Sequence, residues 1–318
     1  MSAIDVLTVS RLSPLYLQPL RASYQVHDRL HETDPAALAE LAPRIRAVAA
    51  SGESRFGAEL MARLPALEIV SVMGVGYDGI DVAAAKARGV VVTHTPDVLN
   101  DEVADTTLGL MLCAARQLPA ADRYVRAGDW TRGAMPLTTR MSGQRLGLVG
   151  MGRIGKAIAQ RALAFGMRVA YTARSAKPEL PHAFFATPAA LAAESDFLVV
   201  ITPGGEGTHK LIDAAVLEAL GQGRGHGILV NVARGSVVDE AALIDALEAG
   251  TIAGAALDVF ENEPNVPARL KALPHVVLTP HIGSATHETR QAMADLAMGN
   301  LRAHFAGQPL PTPVPECR

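Results

Sequence analysis

Three positions in the second half of the chain put a chemically active side chain just after a short apolar run. Arg234 lies in Asn231-Val232-Ala233-Arg234-Gly235, after residues 228–232. Glu263 lies in Asp258-Val259-Phe260-Glu261-Asn262-Glu263-Pro264, after residues 253–258, with Glu261 as a rival acid. His281 lies in Pro280-His281-Ile282-Gly283-Ser284, after residues 276–279. If the runs are strands of one parallel sheet, their carboxyl ends meet at one edge, where open α/β sheets bind ligands. A histidine after a strand is, taken alone, more often a surface or capping residue. The arginine and glutamate arriving at the same edge give it a chemical context.

A fourth motif supplies a cofactor for that edge. Residues 145–149 are followed by Gly150-Met151-Gly152-Arg153-Ile154-Gly155 and then by a helical pattern over 156–165. This is GxGxxG after a strand and at the start of a helix. Gly150 permits the tight turn, Gly152 lets the backbone approach a pyrophosphate, and Gly155 lets helix and strand pack closely. The helix N-terminus offers free N–H groups to the phosphates. The next strand, 168–172, leads into Arg174 and Ser175, with Lys177 nearby and no acid before Glu179. An NAD-selective site wants an acid there for the ribose 2′-hydroxyl; a guanidinium and a hydroxyl suit a 2′-phosphate. NADP(H) is therefore expected in preference to NAD(H). An arginine, a glutamate and a histidine beside a nicotinamide point to keto-acid chemistry.

The elements that must position these residues alternate. Candidate strands are 4–9, 68–72, 90–93, 145–149, 168–172, 196–201, 228–232, 253–258 and 276–279. Several are continuous Val, Ile and Leu, as in strands covered by helices on both faces. Helices are expected over 101–116, 156–165, 213–220, 240–249 and 286–305, with Asp239 as N-cap and Gly250 as C′ residue of the fourth. Such alternation predicts two doubly wound α/β domains. The dinucleotide-binding Rossmann domain, 99–285, is expected as an insertion into a first domain made of 1–98 and 286–318. The tail from Gln308 to Arg318, with four prolines, is expected to be extended or poorly ordered.

Composition removes other classes. The 318 residues are 49% hydrophobic and 19% charged, which excludes wholesale disorder. A net charge of -3 argues against a nucleic-acid partner held by a basic surface. No apolar stretch is long enough for a bilayer and the N-terminus lacks a basic leader, so no membrane partner is expected. Cys113 and Cys317 form no CxxC or disulfide framework, which suits a reducing, cytoplasmic location. No His, Cys or acidic cluster has metal-ligand spacing, so no metal is expected.

These motifs, with Gly74-Val75-Gly76-Tyr77-Asp78 and Pro280-His281-Ile282-Gly283-Ser284-Ala285-Thr286, resemble the D-isomer-specific 2-hydroxyacid dehydrogenases. The chain looks most like the NADPH-preferring glyoxylate/hydroxypyruvate and hydroxyphenylpyruvate reductases, from about Glu68 to Pro309. The resemblance implies a flavodoxin-like first domain and a small 2-keto acid as substrate. It implies His281 as general acid–base, Glu263 as its carboxylate partner, and Arg234 as the group that binds the substrate carboxylate. By the same resemblance, Val75 and Gly76 offer backbone N–H groups to that carboxylate, and Ser284 touches substrate. Gly150, Gly152, Arg153, Ile154, Gly155, Arg174, Ser175, Pro203, Thr208, Val232, Ala233, Arg234, Asp258, His281 and Gly283 are the implied cofactor residues.

In that family the segment from Leu118 to Ser142 is a dimerisation arm, which implies a homodimer; its Trp130 suits an interface anchor. His94, His209, His275 and His287 are expected to be structural or exposed. Two other readings remain open at this level. One is a bulkier keto acid, such as hydroxyphenylpyruvate or 2-ketogluconate. The other is a dinucleotide-sensing binding protein on the same fold.

Overall fold

The computed structural model describes residues 4–221 and 226–317. The first three residues of the N-terminal stretch and Arg318 of the tail lie outside the described residues. The chain divides into two compact units, Met1–Leu99 with Thr286–Arg318, and Asn100–Ala285.

In the first unit five parallel strands, β1 (Asp5–Thr8), β2 (Gln25–Asp28), β3 (Ile45–Ser51), β4 (Ile69–Met73) and β5 (Val91–Thr93), lie in the order β2-β1-β3-β4-β5. This is the flavodoxin-like doubly wound order. β1 and β4 are buried along their whole length; β4 is apolar but for Ser71, while β1 carries Asp5 and Thr8 at its ends. The helix His287–Phe305 packs on β4, and Ser71 Oγ donates to the Ala297 carbonyl at 3.0 Å. The C-terminal tail is extended but not loose. Pro313 bridges Thr93, the Val314 N–H donates to the Val92 carbonyl, and Val314 is fully buried. Thr312 explains the difference: its backbone and hydroxyl bond both Asn300 and His94.

The second unit has seven parallel strands: β6 (Arg145–Val149), β7 (Arg168–Thr172), β8 (Ala183–Phe184), β9 (Phe197–Val200), β10 (Ile228–Asn231), β11 (Gly254–Leu257) and β12 (Val276–Leu278). Their order is β12-β11-β10-β9-β6-β7-β8. The order reverses between β6 and β9, so the crevice for a dinucleotide lies at their carboxyl ends. Leu198, Val200, Leu229, Leu257 and the helix residues Leu217, Leu243 and Leu247 form one apolar core. Asp239 caps the helix Glu240–Glu248, and Gly250 follows it at φ +70°. No helix among the described residues is long and apolar enough to cross a membrane.

Candidate active site

The glycine loop after β6 shows what the chain needs for itself and what it leaves open. Gly150 has φ +111°, and a Cβ there would stand 2.7 Å from the Ile201 carbonyl oxygen. A Cβ on Gly155 would overlap the Gly150 carbonyl. At Gly152 a Cβ would meet nothing within 4 Å, and no side chain caps the helix Arg153–Ala164 that starts there. The protein's own packing therefore does not require Gly152. Open space above uncapped helix amides fits a pyrophosphate. Arg153 is exposed and Ile154 half-buried on the first turn.

Beyond β7, the buried Tyr171 folds the chain back, its hydroxyl accepting from the Lys177 N–H at 2.6 Å. That holds the turn with Arg174 and Ser175 exposed on it, and neither side chain has an ion pair or hydrogen bond among the described residues. The donor set fits a phosphate. Beyond β9, the Thr208 hydroxyl donates to the carbonyl of Pro203 at 2.8 Å, so this threonine staples the loop that carries Pro203.

The loop after β10 is clamped by Asn231, which is 1% exposed. Its Oδ1 accepts from the Ala233 N–H at 3.1 Å and its Nδ2 donates to the Arg234 carbonyl at 3.0 Å. Val232 and Ala233 are buried, and Arg234 is half-buried with Nη1 donating to the Ala233 carbonyl. A side chain on Gly235 would overlap the Phe260 carbonyl, so only glycine lets this loop lie against the loop after β11. Buried Glu240 ties the same two segments, accepting from the Glu261 N–H. Burial pushes the Glu240 carboxyl above its usual range.

Of the two rival acids, Glu263 is the one that meets the histidine. Its Oε2 lies 3.0 Å from His281 Nδ1, and its Oε1 accepts from the Phe260 N–H at 2.9 Å; Glu261 is exposed. Burial alone would raise the Glu263 carboxyl. The hydrogen bonds from His281 and Phe260, and the charges of His281 and Arg234, outweigh it and hold the group below its usual range. Glu263 therefore feels both His281 and Arg234.

His281 has φ +53°, a left-handed conformation that is uncommon for any residue but glycine and is held only where the surroundings impose it. Asp258 imposes it. Its carboxylate accepts from the Thr279 hydroxyl at 2.7 Å, the Ile282 N–H at 2.8 Å and the Gly283 N–H at 2.7 Å. A carboxylate has about four acceptor positions, so at most one remains for a ligand. Asp258 thus has a loop-holding function that sequence reasoning did not assign; so do Asn231, Tyr171 and Glu240. Ser284 is half-buried beside Gly283.

In the first unit, Val75 and Gly76 follow β4 after Gly74 and are half-buried. Gly74 lies against Gly52, where a Cβ would come within 2.7 Å of the Gly52 Cα.

The profile of the family described as "D-isomer specific 2-hydroxyacid dehydrogenase, NAD binding domain" matches residues 108–283. The chain belongs to this family. Its cofactor is a nicotinamide dinucleotide. Glyoxylate/hydroxypyruvate reductase A of Arabidopsis thaliana is 50% identical over 270 residues, 85% of each chain. Hydroxyphenylpyruvate reductase of Plectranthus scutellarioides is 46% identical over 317 residues, 99% of this chain and 100% of that one. The NADPH-dependent glyoxylate/hydroxypyruvate reductase of Sinorhizobium meliloti, solved with NADP and malonate, superposes with a TM-score of 0.92 at 46% identity, covering 99% of this chain and 98% of that one.

Proposed function

We propose that this dehydrogenase reduces a small 2-keto acid, glyoxylate or hydroxypyruvate, to the D-2-hydroxy acid with NADPH. The observation that carries the proposal is the 3.0 Å contact between His281 Nδ1 and Glu263 Oε2. Glu263 stays ionised at neutral pH and favours the imidazolium form. Glu263 takes Nδ1, so Nε2 is the ring nitrogen that would donate a proton to the carbonyl oxygen. The nicotinamide, when bound, supplies hydride to the carbonyl carbon. Arg234 binds the substrate carboxylate as a fixed charge. The Val75 and Gly76 N–H groups are proposed as further carboxylate donors, and Ser284 as a substrate contact.

Asp258 and Gly283 shape the nicotinamide side through the His281 loop. Arg174 and Ser175 would take the 2′-phosphate, which supports NADPH over NADH; the S. meliloti relative was solved with NADP. Leu118, Val125, Trp130 and Leu137 are exposed on the arm from Leu118 to Ser142, which supports a homodimer. Trp130→Ala with Leu137→Ser should lower the sedimentation mass from dimer toward monomer. The free thiols Cys113 and Cys317 fit a cytoplasmic setting.

Initial rates of NADPH and NADH oxidation with glyoxylate, hydroxypyruvate, hydroxyphenylpyruvate and 2-ketogluconate test the reading. Fast NADPH oxidation with the two small acids is expected. Turnover confined to the bulkier acids would overturn the substrate assignment, and cofactor binding with no turnover would overturn the reaction.

A further inference from the structure

His94 was expected to be structural or exposed. It is 6% exposed, and its ring has a specific partner: Nδ1 lies 3.0 Å from the Val75 carbonyl oxygen. A carbonyl only accepts, so Nδ1 must carry the proton in this contact. The neighbouring Thr95 donates its backbone N–H to the Gly74 carbonyl at 2.8 Å. Two successive carbonyls, Gly74 and Val75, are thus held by two successive residues at the end of β5.

Peptide groups are planar and trans, so a C=O fixed on one side points the N–H of the same peptide to the other. The Gly74–Val75 peptide carries the Val75 N–H, and the Val75–Gly76 peptide carries the Gly76 N–H. Drawing both carbonyls toward residues 94 and 95 turns both N–H groups away from them. Consecutive N–H groups facing one way are an anion-binding arrangement.

His94 is itself fixed. Its ring meets Tyr77 edge-on at 5.2 Å. Its backbone N–H donates to the Thr312 carbonyl at 3.1 Å, and its carbonyl accepts from the Thr312 hydroxyl at 2.6 Å. Thr312 is held in turn by Asn300, with Asn300 Nδ2 donating to its hydroxyl at 2.8 Å and Asn300 Oδ1 accepting its N–H at 3.0 Å.

We infer that His94 is a positioning residue for the substrate carboxylate: its ring N–H holds the Val75 carbonyl and so aims the Gly76 N–H at the anion, with the C-terminal segment at Thr312 as its anchor. The inference rests on the carboxylate role proposed above for the Val75 and Gly76 amides. It separates donor from volume. Asparagine can present an amide N–H near the place of Nδ1 but lacks the ring. Phenylalanine keeps a ring against Tyr77 but has no donor.

The test is steady-state kinetics of His94→Phe and His94→Asn with glyoxylate and NADPH. His94→Leu replaces the Phe variant if that one does not fold. The Phe variant should raise KM for glyoxylate about tenfold, with kcat within about threefold and KM for NADPH unchanged, as loss of one oriented hydrogen bond in uniform binding would do. The Asn variant should stay within about twofold of the wild type by the same reasoning. A wild-type KM in the Phe variant, or a KM raised as far in the Asn variant, overturns the inference. If the wild type turns over no 2-keto acid, the proposed reaction fails separately. A malonate titration followed at the Gly76 amide resonance then decides: a shift in wild type and the Asn variant but not in the Phe variant upholds the positioning role, and equal shifts in all three overturn it.

Discussion

The backbone N–H of His281 donates to the Asp258 carbonyl at 2.8 Å, while the Asp258 carboxylate accepts from the residues on either side of that histidine's turn. One buried acid therefore holds a left-handed histidine in place. Such a conformation costs on the order of 1–3 kcal/mol, and the hydrogen bonds to Asp258 offset it.

Asp258→Ala should release the loop without touching Glu263. We expect kcat/KM for the keto acid to fall about tenfold to a hundredfold, the kinetic equivalent of that strain. NADPH affinity should change less. A variant with wild-type kcat/KM would show that the turn holds itself.

The parts of this site that could be read from sequence are those whose requirement is local. The GxGxxG loop is legible because a tight turn and a close helix need glycine at fixed spacing. β6, β9 and β10 are legible because both faces are buried. β2 and β8 are edge strands, half-polar or two residues long, and only pairing defines them. β3 is rich in alanine, a helix former, and tertiary context overrides that preference. Asn231 and Tyr171 sit in plain view, but their roles appear only when their loops close. Glu263 and Glu261 could not be told apart by spacing; the turn at Phe260 decides which carboxylate meets His281. His94 bonds a carbonyl 19 residues away on a neighbouring strand end, and nothing in its own segment signals that.

The exposed Arg174 gives a cofactor prediction. On the proposed NADPH preference, Arg174→Asp removes one charged contact and adds repulsion toward a 2′-phosphate. The preference for NADPH over NADH should fall by about 2 kcal/mol, or about thirtyfold in the ratio of kcat/KM values. An unchanged ratio would move recognition of the cofactor to other residues.

Asp196 and Arg145 tie the amino ends of β9 and β6, at the opposite edge of the sheet from His281. Asp196 Oδ2 accepts from the Arg145 backbone N–H at 2.8 Å and Oδ1 from Arg145 Nη2 at 2.9 Å. Burial would raise the Asp196 carboxyl, but these hydrogen bonds and the Arg145 charge outweigh it and hold the group below its ordinary 3.8. A depressed folded value means stability that is present above 3.8 and is lost as pH falls through the folded value. Asp196→Asn should cost about 2 kcal/mol at pH 7 and lower Tm by several degrees. Thermal scans from pH 7 down to pH 2 should show the gap closing on the acid side; a gap constant with pH would rule out the ion pair as its source.

The pH profile of reduction tests the His281–Glu263 pair directly. In the proposed role of His281, reduction uses the imidazolium, so the rate should decline as pH rises through the histidine's titration. Glu263 is held below its usual range and is ionised throughout, so its charge favours the protonated ring at every pH in question. Glu263→Gln removes that charge and keeps a similar shape. The alkaline limb of kcat should then move to lower pH by about one to two units, the usual effect of losing an adjacent opposite charge. His281→Gln should remove the limb and lower kcat by about a hundredfold or more, while NADPH still binds. Profiles recorded where a solvent isotope effect shows proton transfer to be rate-limiting separate the two outcomes. A limb at the same pH in Glu263→Gln would mean that another group sets the protonation of His281.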